Sequence, residues 1–91
     1  MARLIKVIGG EVEITPENGK SFGLVEAQNI VGGYIQILSL DDDNVMIMDE
    51  EGKLKERKFN VTATKIAYRY NAIFPGDYIV GDVIICKDSE I

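Results

Sequence analysis

The residues of this sequence best suited to chemistry are basic and aromatic, and they are concentrated in two places. The run Lys53–Lys58 holds four of the ten basic residues. Within it, Arg57 suits an anionic ligand best, because a guanidinium binds phosphate through a rigid fork of donors, and Lys55 adds a second positive charge. The second place is Tyr68-Arg69, where a ring beside a guanidinium can stack on a base and hold a phosphate. Both places predict binding of a small anionic, nucleotide-like ligand.

Each candidate residue also has an ordinary structural role, and the sequence leaves the choice open. The basic run fits an exposed strand whose lysines discourage pairing at a sheet edge. Tyr34 fits the start of a strand, where its ring either packs or contacts a ligand. Asn60 fits the N-cap of a helix, where an Asn side chain accepts a backbone hydrogen bond. The candidate ligand-binding residues are Lys55, Arg57, Tyr68, Arg69, Tyr34 and Asn60.

The residue types needed for most catalytic and metal sites are missing. The sequence has no histidine and one cysteine, so it lacks a triad with a histidine base and the usual ligands of zinc. It has neither a Walker-type phosphate loop nor the glycine motif of dinucleotide-binding proteins. We therefore predict no catalytic residue, no metal and no cofactor, and favour a binding protein over an enzyme. A carboxylate-dependent enzyme, such as a nucleotide hydrolase, remains an alternative.

Two acidic segments favour a different function. Asp41–Asp43 differs from an EF-hand calcium loop, because Val45 and Met46 stand where that loop needs polar ligands, so the run predicts a solvated turn. Together with Asp49–Glu51, this turn offers an acidic surface to another protein. The main alternative function is therefore an acidic inhibitor that binds a host protein.

Length and composition predict one domain over residues 1–91. A hydrophobic fraction of 46% argues against disorder, and a net charge of −5 opposes general binding to nucleic acid. The apolar runs fall short of the roughly 20 residues that a membrane helix needs. The single Cys86 excludes an intrachain disulfide and fits a buried strand position. The N-terminal apolar run Leu4–Ile8 is too short for a signal peptide, so we expect a reducing cytosol. A core this small also favours a homo-oligomer.

The chain predicts eight elements in the order β-β-α-β-β-β-α-β. Residues 3–8 and 11–14 form a hairpin around Gly9-Gly10, since both glycines tolerate positive φ. Ser21 caps a helix over residues 22–30, which Gly32 or Gly33 closes in a left-handed conformation. Strands follow at residues 34–40 and 45–48, and the second is apolar on both faces, which is typical of a central strand.

The second half of the chain predicts a hairpin, a helix and a last strand. Gly52 takes the left-handed position of a turn that places Asp49 opposite Lys53 and leads into a strand over residues 53–58. Asn60 caps a helix whose apolar positions recur from Ala63 to Tyr70. Residues 78–86 form the last strand, bent near Gly81-Asp82, and a frayed tail covers residues 87–91. The predicted fold is a small α+β domain with a largely antiparallel sheet and two helices on one face.

Four spaced signatures carry a resemblance to a known family. They are Val31-Gly32-Gly33-Tyr34-Ile35-Gln36, Asp49-Glu50-Glu51-Gly52-Lys53, Asn60 and Ile79-Val80-Gly81-Asp82. With these signatures in this order and spacing, the chain resembles a family of small phage and mobile-element proteins of unknown function. The resemblance implies an α+β domain, a bacteriophage or plasmid source and a location in the host cytosol. By analogy with small phage proteins that sequester nucleotide immune signals, it implies an anti-defence accessory role. The signatures themselves are predicted to be mainly architectural.

Overall fold

The protein folds around one antiparallel sheet of five strands. The computed structural model describes residues 2–91. It confirms the α+β class and the antiparallel sheet, with five strands in place of the six expected. The elements are β1 (Ala2–Ile5), β2 (Glu11–Ile14), α1 (Leu24–Val31), β3 (Ile35–Ser39), β4 (Asn44–Asp49), α2 (Val61–Arg69), β5 (Val83–Lys87) and a final 3₁₀ turn (Asp88–Glu90). Across the sheet the strand order is β2-β1-β5-β4-β3.

The two helices lie on opposite faces of the sheet, so the expectation that both cover one face is wrong. Ala27 of α1 belongs to a buried cluster that contains Ile47. Ala67 of α2 belongs to a second cluster that contains Met46. Met46 and Ile47 are neighbours in β4, and successive side chains of a strand point to opposite faces. Because β4 is apolar on both faces, each face needs its own cover, and one helix supplies each.

The N-terminal hairpin forms, but its loop is longer than the two glycines. Ile5 of β1 lies opposite Glu11 of β2, so the loop covers residues 6–10. Gly9 and Gly10 both have positive φ, 95° and 78°, as predicted. The backbone N–H of Val7 donates to Asp82 Oδ1 at 2.9 Å, which holds the loop against the chain before β5. Lys6 N–H still bonds across the hairpin, to the Gly10 carbonyl at 2.9 Å, whereas Val7 N–H bonds outside it.

The strand expected over residues 53–58 does not form. Residues 50–56 fold into successive turns, in which Lys55 N–H donates to the Glu51 carbonyl and Arg57 N–H donates to the Gly52 carbonyl, both at 3.0 Å. The left-handed residue in this segment is Glu56, with φ 56°, and Gly52 is not left-handed. The predicted hairpin after Asp49 is therefore wrong. The turns return the chain towards Asp49 instead of extending the sheet.

Asn60 caps α2, as predicted, and also joins three parts of the fold. Its side chain is fully buried, and its Oδ1 accepts the backbone N–H of Ala63 at 2.9 Å. Its Nδ2 donates to the carbonyls of Ile5 and Gly81 at 3.0 and 2.8 Å. One side chain thus joins the start of α2 to the end of β1 and to the bend before β5.

The helix ends and the tail show smaller differences from expectation. Gly23, and not Ser21, is the N-cap of α1, and Gly32 closes that helix with φ 87°, as predicted. The tail is ordered, because Phe22 N–H donates to the Glu90 carbonyl at 2.5 Å. Neither α1 nor α2 is long and apolar enough to cross a membrane, and the same holds for every helix in the described residues.

Cys86 is a buried, unreactive thiol of the core cluster that contains Ala27 and Ile47, as the apolar run around it predicts. Burial raises its pKa to about 11, and the nearby negative charge of Glu90 adds to this effect. The thiol therefore stays protonated at neutral pH. Since the thiolate is the reactive form, Cys86 is not a candidate nucleophile.

Candidate functional site

Asp49, at the end of β4, is the one buried residue with an ionisable carboxyl group among the described residues. Its carboxylate is only 1% exposed and contacts two cations. Arg57 Nε donates to Oδ2 at 2.7 Å, and Lys55 Nζ donates to the same oxygen at 3.0 Å. The backbone N–H of Glu51 donates to Oδ1 at 2.9 Å. We call Asp49, Lys55 and Arg57 the Asp49 cluster; it joins the two ends of the turns over residues 50–56.

The environment of Asp49 favours its charged form. Burial raises the pKa of its carboxyl, but the hydrogen bonds from Glu51 N–H, Arg57 and Lys55 outweigh burial, and the net pKa is lowered. The carboxylate is therefore ionised at neutral pH. Because it is ionised and accepts three hydrogen bonds, it holds the Arg57 guanidinium in one place.

Arg57 is held from a second direction by the C-terminus of α1. Its Nη2 donates to the Gly32 carbonyl at 2.9 Å, and Lys55 Nζ lies 3.4 Å from the same oxygen. The last carbonyls of a helix carry partial negative charge and lack partners within the helix, so cations are favourable there. The bonds to Asp49 and to the Gly32 carbonyl use two of the five guanidinium N–H groups of Arg57. Within the described residues, its Nη1 has no hydrogen-bond partner.

Glycines from three of the four signatures surround the Arg57 side chain. A Cβ added at Gly32 would lie 2.6 Å from Arg57 Nη2, and one at Gly81 would lie 2.9 Å from its Cδ. A Cβ at Gly52 would lie 3.7 Å from Cδ and 2.9 Å from a methyl group of Val80. Contacts below 3 Å are not tolerated without displacement. The signatures therefore make room for one arginine, which is more than the separate turns and caps that the sequence predicts.

Gly81 provides a direct test of this packing. Gly81→Ala adds a methyl group against the middle of the Arg57 side chain at a positive φ of 76°, whereas Gly19 has φ 75° and open space around it. We expect Gly19→Ala to cost about 1–2 kcal/mol from backbone strain alone. Gly81→Ala should cost about 1–3 kcal/mol more, because its methyl group is overpacked. Denaturant unfolding measures both, and equal losses would contradict the packing of Arg57 against Gly81.

A cleft of about 410 Å³ opens beside the guanidinium; we call it the Arg57 cleft. Arg57 and Lys58 supply positive charge, and Asp82, whose Oδ1 accepts Val7 N–H, supplies negative charge. The remaining lining is mostly apolar and includes Ile8, whose side chain is exposed. A site of this size with a few polar groups on an apolar surface is typical of small-molecule pockets. The lining residues are Val7, Ile8, Ile30, Val31, Gly32, Arg57, Lys58, Gly81 and Asp82.

Two other predicted residues, Lys55 and Tyr34, line a separate depression on the far side of Gly32. Gln28, Asn29, Gly33 and Glu51 complete this second surface. The Tyr34 ring is exposed, as a ring that contacts a ligand must be. Gly32 is the residue that the two surfaces share. The structure thus brings Lys55, Arg57 and Tyr34 around the C-terminus of α1.

The predicted residues Tyr68, Arg69 and Asn60 are not part of this arrangement. The Tyr68 hydroxyl donates to the Asp77 carbonyl at 2.5 Å and accepts Gly76 N–H at 2.9 Å, which stabilises the turn after α2. Arg69 is exposed and lines none of the clefts described above. Asn60 uses its buried amide within the fold. These three residues therefore lie outside both surfaces at the C-terminus of α1.

A family model described as a domain of unknown function, DUF3846, matches residues 2–90. The chain belongs to the DUF3846 family. No curated protein and no solved structure matches it. Membership agrees with the expected family of unknown function and assigns no activity. The function of this DUF3846 domain therefore has to be argued from its own side chains.

Sequence reasoning missed two residues of the site in this DUF3846 domain. Asp49 was expected in an exposed turn, although its charge between a buried strand and a basic run is the kind of signal that marks a paired carboxylate. Lys58 lies in the basic run, but its position beside Arg57 in the cleft depends on the turns that precede it. The described residues contain no group of acidic, Cys or His side chains arranged to hold a metal ion.

Proposed function

We propose that this DUF3846 domain is a non-enzymatic, phage-type accessory protein that binds a small anionic, nucleotide-like ligand in the Arg57 cleft. The observation that carries the proposal is the state of Arg57. Asp49 and the Gly32 carbonyl hold one edge of its guanidinium through Nε and Nη2, and Arg57 lines a largely apolar cleft together with Lys58. A guanidinium fixed before the ligand arrives loses little entropy on binding.

The division of the cleft into charged and apolar parts supports a nucleotide-like ligand. Arg57 and Lys58 are placed to bind a phosphate, because both present N–H donors with positive charge. Ile8 and Ile30 offer apolar surface to a base or sugar. Asp82 lies in the same lining and suits a ligand hydroxyl, since an ionised carboxylate accepts hydrogen bonds. Sequestration of a nucleotide signal in the host cytosol needs no catalytic group, which fits this set of residues.

The alternative of an acidic inhibitor of a host protein has less support. It uses the acids at Asp41–Asp43 and Asp49–Glu51, but Asp49 is buried on two cations. Asp41 accepts backbone N–H groups of Asp43 and Asn44 within its own turn, and these bonds, with that of the Asn44 side chain, lower the pKa of its carboxyl. This leaves fewer carboxylates for a partner than the sequence indicates.

Matched lysine variants test the ligand site. Lys58→Ala removes a charge from the cleft, while Lys65→Ala removes the same charge from an exposed position on α2. The probes are ADP-ribose, cyclic ADP-ribose, a cyclic dinucleotide and inorganic pyrophosphate, measured by native mass spectrometry and calorimetry. We expect at least one probe to bind, with about tenfold weaker binding in Lys58→Ala, or about 1.4 kcal/mol. Lys65→Ala should bind as the unchanged protein does.

Other results would change the assignment. Absence of binding by every probe, or equal weakening by Lys58→Ala and Lys65→Ala, would contradict the Arg57 cleft as the site. Recovery of the bound probe in unaltered form distinguishes sequestration from hydrolysis. Appearance of a cleaved product would instead favour the carboxylate-dependent enzyme.

A further inference from the structure

The edge strand β3 has features of a surface that pairs with another strand. It is the outermost strand on one side of the sheet and pairs only with β4 within residues 2–91. Its sequence, Ile35-Gln36-Ile37-Leu38-Ser39, has no charge, no proline and no glycine. Native edge strands usually carry charged residues or proline, which prevent pairing with other chains. The absence of all of them leaves this edge open to a partner strand.

The other edge of the sheet is protected in the usual way. Strand β2 carries Glu11 and Glu13 within four residues, and Glu11 forms an ion pair with Arg3 at 2.9 Å. A second strand approaching β2 would have to contact or desolvate these charges. The two edges of one sheet thus differ in charge, and the difference singles out β3.

The hydrogen-bonding pattern of β3 shows which of its backbone groups face outwards. Glu50 N–H donates to the Tyr34 carbonyl, and Leu40 N–H donates to the Asn44 carbonyl, so Tyr34 and Leu40 are hydrogen-bonded to the β4 side. In an antiparallel pair such positions alternate with positions whose N–H and C=O point away. The outward groups are therefore those of Ile35, Ile37 and Ser39. They are evenly spaced around Ile37, as a two-fold pairing requires.

We propose that two copies of this chain pair through β3 in antiparallel orientation, about a two-fold axis at Ile37. Ile37 then lies opposite Ile37 of the second copy, and Ile35 lies opposite Ser39. Such an isologous contact joins two five-stranded sheets into one continuous sheet. A second copy provides a matching partner, because in this register the outward N–H and C=O groups of one copy face those of the other.

The charges at the two ends of β3 agree with the same register. It places Asp41 of one copy opposite Gly33 of the other, and Lys55 Nζ lies directly beside Gly33. The acidic turn after β3 therefore approaches the Lys55 side of the Asp49 cluster, and symmetry repeats the contact at the other end. Asp41 is the only charged residue within positions 33–41, so this register places no two charged residues of the paired segments directly opposite each other. None of the residues that line the Arg57 cleft belongs to β3.

A matched pair of edge variants tests the pairing. Ile37 and Val12 are both 46% exposed, and each lies in an edge strand. We expect light scattering to give twice the 10.1 kDa chain mass for the unchanged protein and for Val12→Lys, and the single-chain mass for Ile37→Lys. A single-chain mass for the unchanged protein up to its solubility limit would overturn the proposal. Dissociation by Val12→Lys alone would overturn it as well.

Amide hydrogen exchange on the unchanged protein gives a second test that does not depend on a variant. Gln36 and Leu38 N–H groups bond to β4, so they should be protected at every protein concentration. The N–H groups of Ile35, Ile37 and Ser39 should gain protection only as the concentration rises. Rapid exchange of Ile37 N–H at the highest concentration would overturn β3 pairing even if the protein were dimeric by another surface.

Discussion

Asn60→Asp will lower the free energy of unfolding by about 3 kcal/mol or more. The substitution replaces only the amide NH₂ group by an oxygen and keeps an acceptor for the helix cap. The Asn60 amide donates to the Ile5 and Gly81 carbonyls in a fully buried place. A carboxylate there would face two carbonyl oxygens with no donor of its own. Its protonated form restores one of the two bonds at most. Thermal unfolding should shift by more than about 10 °C for a domain of this size.

Asn18→Asp is the matched control for that result. Asn18 also accepts backbone N–H groups with its Oδ1, from Lys20 and Ser21, but it lies in an exposed loop. The same chemical change should alter stability there by less than about 0.5 kcal/mol, as is usual for exposed sites. If both variants lose the same stability, the buried amide of Asn60 does not join α2 to β1 and to the bend at Gly81.

Asp49→Asn is the second large effect, expected to cost about 2–3 kcal/mol at pH 7. The variant keeps the shape of the side chain but removes the charge that Arg57 and Lys55 contact. The cost is below that of a fully buried pair, because the side chains of Arg57 and Lys55 are 32% and 39% exposed and water screens their charges. Asp77→Asn, which removes the exposed pair with Lys53, should cost less than about 1 kcal/mol.

The dependence on pH separates charge from packing at Asp49. Its folded pKa is lowered, so its stabilising contribution is present above the unfolded value near 3.9 and is lost as the pH falls through the folded pKa. The difference in unfolding free energy between the unchanged protein and Asp49→Asn should therefore be largest near pH 7 and shrink below about pH 4. Asp41 and Asp77 also have lowered pKa values, so the variant retains part of the acid sensitivity. A difference that does not change with pH would contradict the ion pairs.

Local features of this fold could be predicted from sequence because their causes are local. Asn60 caps the helix that follows it, and Gly32 closes the helix that precedes it. Strand β4 is apolar on both faces, which correctly indicated a strand covered on both sides. That last pattern already required a helix on each face, although the short connections favoured a single layer of helices.

The candidate site could be predicted only in part, because its contacts join distant residues. Arg57 was expected to bind an anion from its chemistry alone, but its contact with Gly32 spans 25 positions. Lys55 and Arg57 approach Asp49 only because residues 50–56 form turns. The run Lys53–Lys58 does not alternate charged and apolar residues regularly, so its sequence fits a strand and turns equally well. Tyr68 looked like a ring for stacking, yet its hydroxyl bonds to a turn whose position depends on tertiary packing.

The most direct test of the Arg57 cleft is a ¹H–¹⁵N NMR titration of the unchanged protein with ADP-ribose, cyclic ADP-ribose, a cyclic dinucleotide and pyrophosphate. With at least one of these, the amide signals of Ile8, Lys58, Gly81 and Asp82 should shift together and saturate. Signals that stay fixed with every probe, or shifts centred on Tyr68 and Arg69, would contradict an anion site beside Arg57.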